Sequence, residues 1–344
     1  MKALLMEEYK ELKFVDVPDP EIGDPHDILV RVRAVSICGS DVHGFDGSTG
    51  RRRPPIIMGH EAAGEIVATG DAVKNFKAGD RITFDSTIYC GHCFYCRNGD
   101  VNLCEHRQVL GVSCDEYRRH GAFAEYVRVP DHICYHLPEG LSCENAALTE
   151  PVAVAAHAFR VASPGLDESV AVVGSGLIGL LLIQILRASI SGRIIALDTD
   201  AARRRKSLEA GADTALDPVD PELDKKVKAQ THGLGVNHTF EAVGATAPIQ
   251  TAIAITRKGG SVVLIGNFSP RVEIPLQSVV SRQIRLHGSC AIAGEYPIAL
   301  DLMARKKIDV GSIISKIAPL SEGPLWFDKL YRREDGLLKV VLVP

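Results

Sequence analysis

Val170-Ala171-Val172-Val173-Gly174-Ser175-Gly176-Leu177-Ile178-Gly179 decides the fold. Four short apolar residues read as a buried strand, and the mostly apolar run from Leu177 to Ala188 reads as a helix. The turn between them is G-x-G-x-x-G. A chain with 31 glycines produces that spacing by chance, so its strand-to-helix context carries the weight. The glycines permit a tight turn, close approach of backbone to a pyrophosphate, and close helix–strand packing. The helix start adds free N–H groups and the positive end of its dipole. Gly174, Gly176, Leu177, Ile178 and Gly179 are therefore candidate dinucleotide-binding residues. A second strand, Arg193 to Leu197, ends at Asp198. A carboxylate there accepts both hydroxyls of an adenosine ribose and repels a 2′-phosphate, which favours NAD over NADP. The alternative is a solvated Asp beside a glycine turn in a domain that binds nothing. Arg203-Arg204-Arg205 reads either as a 2′-phosphate clamp or as a solvated helix face, and Arg203 is the candidate cofactor contact among them.

Outward from this turn the βα alternation continues. A polar helix spans Ala201 to Ala210, and strands are expected at Val236 to Phe240 and Val262 to Ile265, with Gly259-Gly260 as the turn before the latter. Repeated βα units with apolar strands predict an α/β fold: a Rossmann, doubly wound parallel sheet covered by helices on both faces. After about Gly288 the alternation weakens, and the tail has no clear pattern. Upstream of Glu150-Pro151, where a small-residue helix (Val152 to Val161) begins, the texture is β-rich, with strands expected at Ile28 to Val35 and Gly121 to Val127.

A length of 344 residues is comfortable for two domains. A hydrophobic share of 46%, a charged share of 24% and a net charge of -4 exclude disorder and lack the basic field that nucleic-acid binding needs. The amino terminus runs into Glu7-Glu8 without a signal-like apolar core, and the longest apolar run, Leu177 to Leu186, is too short to span a bilayer. A cytoplasmic protein with neither membrane nor nucleic-acid partners is expected.

Nine cysteines in a chain without a secretory signal argue against a disulfide framework. Cys90, Cys93, Cys96 and Cys104 place four thiolates in one short loop, the donor set of a closed, structural zinc site. A nucleic-acid zinc ribbon would show separated pairs and basic flanks, whereas Asp85, Asp100 and Glu105 flank this loop. Cys114, Cys134, Cys143 and Cys290 read as core or surface thiols.

A second, dispersed set comprises Cys38 in Cys38-Gly39-Ser40-Asp41-Val42-His43 and the pair His60-Glu61 after Gly59. Singly each is weak. In order with the Cys90–Cys104 lobe, Glu150-Pro151, the glycine turn and Asp198, they resemble the zinc-containing medium-chain dehydrogenases over essentially the whole chain. Within that family the chain looks closest to sorbitol, L-threonine and galactitol-1-phosphate dehydrogenases.

The resemblance implies that Cys38, His60 and Glu61 bind a catalytic zinc, with Glu150 as a fourth or water-linked ligand. It implies a β-rich, GroES-like catalytic domain at 1–154 with its zinc lobe at about 85–110, an NAD-binding domain at 155–288, and a tail at 289–344 returning to the first. It also implies oxidation of a secondary alcohol, the zinc acting as Lewis acid, hydride passing to NAD, and the proton leaving through Ser40, the nicotinamide ribose and His43. His43 as an ordinary surface histidine stays open. A homodimer or homotetramer is expected. The second reading is a zinc-stabilised NAD-binding sensor or structural protein without turnover.

Sorbitol dehydrogenases place a Tyr where this chain has Gly44, and an Arg-Tyr pair where it has Ala291-Ile292, so sorbitol itself is disfavoured. A polyol phosphate, another sugar alcohol or an amino alcohol remain. Arg51-Arg52-Arg53, between the two dispersed motifs, reads as a phosphate clamp on such a substrate or as three exposed arginines solvating a loop.

Overall fold

The computed structural model describes residues 1–114, 117–334 and 336–344. It divides into two compact units, Met1–Glu150 with Ile292–Pro344, and Pro151–Ala291.

In the second unit, strands Thr214–Leu216, Ile194–Leu197, Val170–Val173, Val236–Glu241, Thr256–Leu264 and Arg285–Gly288 lie side by side in that order. Every pairing is parallel. The chain order reverses between Val170–Val173 and Val236–Glu241, the switch point at which such sheets bind nucleotides. Val170–Val173 and Ile194–Leu197 are buried at every residue, as a sheet covered on both faces requires. Helix Leu177–Ser189 buries Leu180, Leu181, Leu182, Ile183, Ile185 and Leu186. The polar helix Ala201–Glu209 is held at its start by Asp200, whose carboxylate accepts from the N–H groups of Ala202 and Arg203.

Gly259-Gly260 is not a turn before a strand at Val262, because both residues lie within Thr256–Leu264. Val236 pairs with Thr256 but His238 pairs with Ser261, so the intervening residues bulge. The freedom of glycine to bend the strand serves an irregularity rather than an end.

In the first unit the longest strand, Asp27–Ser36, pairs with Glu61–Thr69, Tyr126–Pro130 and Lys339–Val343. Val30, Val32 and Ala34 are buried while Arg31 and Arg33 face solvent, the period-two pattern of a half-covered sheet. The tail is ordered rather than patternless: Ile314–Pro319 pairs in parallel with Lys339–Val343, whose Val341 stands opposite Ser36. The strand expected over Gly121 to Val127 begins only at Tyr126. Gly121, Ala122 and Phe123 instead donate to the carbonyls of Ile57, Gly59 and Met58, which fixes the backbone just ahead of His60. Among the described residues no helix is long and apolar enough to cross a membrane.

Candidate active site

The four-cysteine lobe is built from a short helix, Phe94–Arg97, and a tight turn, Val101–Leu103. The sulfurs of Cys90, Cys93, Cys96 and Cys104 all lie within 4.8 Å of one another. Tetrahedral zinc with Zn–S near 2.3 Å separates its sulfurs by about 3.8 Å, which that bound accommodates, so the set fits zinc. Backbone N–H groups of Cys90 and His106 each donate to Cys104 Sγ at 3.3 Å.

Cys38, His60 and Glu61 also converge, with ligand atoms within 4.8 Å. Strand register explains it: Ser36 pairs with Glu61, and Cys38 follows two residues after Ser36. Cys38 caps the short helix Gly39–Gly44, its Sγ accepting from Ser40 N–H at 3.4 Å and Ser40 Oγ at 3.2 Å. Glu61 Oε2 accepts from Ser36 Oγ and pairs with Lys339 Nζ. Lys339, 1% exposed, also donates to the carbonyl of Ile37. Burial pulls the Lys339 pKa down, but Glu61 and Cys38 outweigh it and leave it raised.

Two atoms of this set are buried without a hydrogen bond: Glu61 Oε1, and His60 Nδ1, which faces the Asp41 carboxylate at 3.4 Å. An orphaned buried polar atom costs about 1–3 kcal/mol, so a mixed S, N and O donor set holding such atoms suits a zinc ion. Glu150 stands in the first turn of helix Thr149–Ala162 and is outside this three-residue set. Burial first, then Glu61, pushes its carboxyl up to about 7.

The arginine run divides. Arg51 and Arg53 are exposed, but Arg52 is only 5% exposed. Its Nη2 donates to Asp41 Oδ1 and to Ser40 Oγ, each at 3.0 Å. Three arginines around one phosphate and three arginines solvating a loop both fail at Arg52. Asp41 Oδ1 also faces His60 Nδ1 at 3.4 Å. Burial opposes the Asp41 charge, but His60 and Arg52 prevail and hold its pKa at about 2. His43 is exposed, and its pKa is lowered by partial desolvation and then by Arg333.

In the second unit the glycine turn has the predicted shape. Gly174 adopts φ +94°. A Cβ on Gly179 would fall 1.9 Å from the Gly174 carbonyl oxygen, whereas one on Gly176 would meet nothing within 4 Å. The turn is thus tight beneath and open above. No side chain caps helix Leu177–Ser189, which leaves its first N–H groups for an anion. Asp198, 8% exposed, accepts from Ser175 N–H at 2.8 Å and Asp200 N–H at 2.9 Å. Arg203 and Arg205 are exposed, but Arg204 is no solvated residue: it donates to the carbonyls of Asp198 and Thr199 and pairs with Asp217.

A third constellation has the connectivity of a hydrolase. His238 lies 2.8 Å from Glu168 and 2.6 Å from Ser261 Oγ. Ser261 is only 2% exposed, within a central strand, so no substrate reaches it and the trio ties strands together.

Known proteins agree with this geometry. The model of the alcohol dehydrogenase GroES-like domain matches residues 24–139, and that of the zinc-binding dehydrogenase domain matches 178–305. A D-arabitol-phosphate dehydrogenase of Enterococcus avium is 34% identical over 340 residues, covering 97% of this chain and 94% of that protein. A sorbitol dehydrogenase of Halalkalibacterium halodurans is 33% identical, covering 100% and 99%. A chain from Sinorhizobium meliloti 1021, solved with NADP bound, superposes with a TM-score of 0.91 at 32% identity, covering 100% and 99%. The chain belongs to the zinc-containing medium-chain alcohol and polyol dehydrogenases. It is a zinc-dependent oxidoreductase of small-molecule alcohols that uses a nicotinamide cofactor, and nothing supports the non-catalytic reading.

Sequence reasoning missed Lys339 and the burial of Arg52. A lone Lys opening the apolar run Val340-Val341-Leu342-Val343 was the available signal for the first.

Proposed function

We propose that this enzyme oxidises a secondary alcohol of a small polyol, polyol phosphate or amino alcohol with NAD. In this reading Cys38, His60 and Glu61 hold the catalytic zinc, and Cys90, Cys93, Cys96 and Cys104 hold a structural one. The observation that carries it is the convergence of Cys38, His60 and Glu61 with buried, unpartnered donor atoms. Bound there, zinc supplies the Lewis acidity that lets an alcohol lose its proton near neutral pH.

The chain's own residues supply the rest. Ser40 takes the substrate proton and hands it to the nicotinamide ribose, and His43, whose pKa is lowered by partial desolvation and by Arg333, delivers it to solvent. Glu150 acts through water, a role supported by its place outside the three-ligand set. Residues 1–154 with 289–344 serve catalysis, and 155–288 hold the dinucleotide on Gly174, Gly176, Leu177, Ile178 and Gly179, with Arg203 at the rim. Asp198 supports NAD over NADP. The exposed apolar stretch of Phe268, Val272, Ile274, Leu276 and Val280 supports a homodimer or homotetramer. The two candidate thiolate ligand sets, which need reduced cysteines, support a cytoplasmic setting.

The relatives, a D-arabitol-phosphate dehydrogenase and a sorbitol dehydrogenase, support both free and phosphorylated polyols. The deciding experiment is a panel of polyols, polyol phosphates and amino alcohols followed by NADH absorbance. One class should stand out in kcat/KM. No turnover of any secondary alcohol by the zinc-loaded protein would overturn the reading. If phosphates lead, added salt should weaken that preference through the exposed Arg51 and Arg53.

A further inference from the structure

We infer that the first unit carries a second small-molecule site, in the cavity lined by Arg118, Arg119, His120 and Arg128, which takes a phosphate monoester on an apolar body. The cavity has a volume of about 670 Å³, inside the range of roughly 300–1,000 Å³ that small-molecule sites occupy. Cys38, His60, Glu61 and Glu150 do not line it, so it is not the zinc centre. Its lining has two characters. Leu5, Val17, Pro20, Pro55 and Ile57 are apolar, whereas the three arginines, His120 and Tyr126 offer donors.

These donors are placed for an anion rather than for one another. Arg128 is answered by Asp27, 3.6 Å from its Nε. Arg118 Nη2 donates to the Pro54 carbonyl at 3.3 Å, and Arg119 Nη1 donates to Gln108 Oε1 at 3.3 Å. Among the described residues neither pairs with a carboxylate. Burial and then Arg128 oppose the Arg119 charge more than Asp27 supports it, which lowers its pKa. A half-buried guanidinium facing a like charge is relieved by a ligand that brings negative charge. His120 Nδ1 accepts from the Ile57 N–H at 3.2 Å, so the neutral ring keeps its proton on Nε2 as a donor. Tyr126 Oη accepts from Arg31 Nε at 3.3 Å, which leaves its own hydrogen to give. Glu21 is the one acidic side chain among the described lining residues. With Asp27 set against Arg128, two arginines face that single carboxylate. A phosphate monoester brings three acceptor oxygens and about −1.5 to −2 charges near neutral pH, more of both than a carboxylate.

The competing explanation is that these arginines only solvate the surface. The test is calorimetric titration of phenyl phosphate into the zinc-loaded enzyme saturated with NADH, which keeps the dinucleotide turn occupied. One phenyl phosphate should bind per chain, and added salt should weaken it. Arg119→Gln should weaken it about 10- to 100-fold, the loss of a charge-assisted hydrogen bond. Oxidation of a neutral alcohol by this variant should stay within about twofold of the parent, because Arg119 is outside the catalytic machinery. Arg118→Glu, at an exposed position, should weaken binding similarly and serves if Arg119→Gln does not fold. Phenol, which keeps the ring and lacks the anion, and inorganic phosphate, which has the anion alone, should each bind more weakly than phenyl phosphate. So should benzoate. The proposal is overturned if phenyl phosphate fails to bind at millimolar concentration, if both variants bind it as the parent does, or if it binds only in competition with the alcohol. Phenol or inorganic phosphate matching phenyl phosphate overturns the two-part ligand, and tighter binding of benzoate overturns phosphate as its class.

Discussion

The two candidate metal constellations use different strategies to hold their donors. In the lobe, four sulfurs come from one stretch of 15 residues, Cys90 to Cys104, and the backbone N–H groups of Cys90 and nearby His106 steady the Cys104 sulfur. In the Cys38 centre, donors come from two separated motifs, and a buried Lys from the tail completes it. The lobe is a closed local clasp with no donor to spare. The centre is an assembly of strand ends in which buried atoms are left without partners. Local closure suits stability, whereas an assembled site with unmet valence suits a metal that must also receive substrate.

The largest expected effect tests that division directly. Cys38→Ser should abolish turnover while unfolding stays cooperative near the parent temperature, with one zinc per chain remaining. Cys96→Ser should instead lower folding stability by several kcal/mol or prevent folding, since structural metal binding contributes to folding free energy. Zinc analysis, thermal unfolding and activity on the same preparations decide it. Activity surviving Cys38→Ser would break the comparison.

Next in size is Lys339. Breaking one side of a buried ion pair costs about 3–5 kcal/mol when the other charge is left alone. Lys339→Met leaves Glu61 without its cation. Zinc on Glu61 would supply a replacement charge, so the loss of stability relative to the parent should be larger with a chelator present than without. An equal loss in both conditions would argue that Glu61 does not face the metal.

The contrast between clasp and assembly also explains what was legible. The cysteine lobe and the turn Gly174–Gly179 each lie in a short window where spacing alone limits the chemistry. Cys38 and His60-Glu61 became meaningful only through their order along a family pattern. Lys339 and Arg52 were not legible as site residues because both are ordinary charges in sequence. Only the register that sets Ser36 against Glu61 and Val341 brings Lys339 into the core. Gly259-Gly260 misled because glycine marks a bulge as readily as a turn.

A third test exploits Asp85, which is buried outside the ligand sets. Burial, opposed by the Thr87 N–H and aided by Glu295, pushes its carboxyl up to about 7. The folded state then holds a proton that the unfolded chain has released, so this group lowers stability as pH rises from about 4 to about 7. The linked change is at most roughly 4 kcal/mol, taking 1.36 kcal/mol per pKa unit. Asp85→Asn should flatten the pH dependence of unfolding over that window. An unchanged slope would mean that Asp85 is not buried as a neutral acid.

The smallest effect belongs to the nucleotide turn, a site of the local kind. Asp198 already accepts from Ser175 and Asp200, so its carboxylate steadies the turn and, in the proposed reading, would also offer charge to a ribose. Removing a charge-assisted hydrogen bond costs about 1.5–3 kcal/mol, or about one to two decades of affinity. Asp198→Ala should weaken NAD binding by that amount and narrow the gap to NADP, because the repulsion of a 2′-phosphate goes with the carboxylate. Asp198→Asn separates the two duties: an amide oxygen can still accept a backbone N–H, but it carries no charge. If charge sets the preference, Asn should narrow the gap as much as Ala while losing less NAD affinity. The NADP-bound relative at 32% identity makes the outcome a real question for this chain. Should the unmodified enzyme turn over NADP as well as NAD, Asp198 holds the turn and does not choose the cofactor.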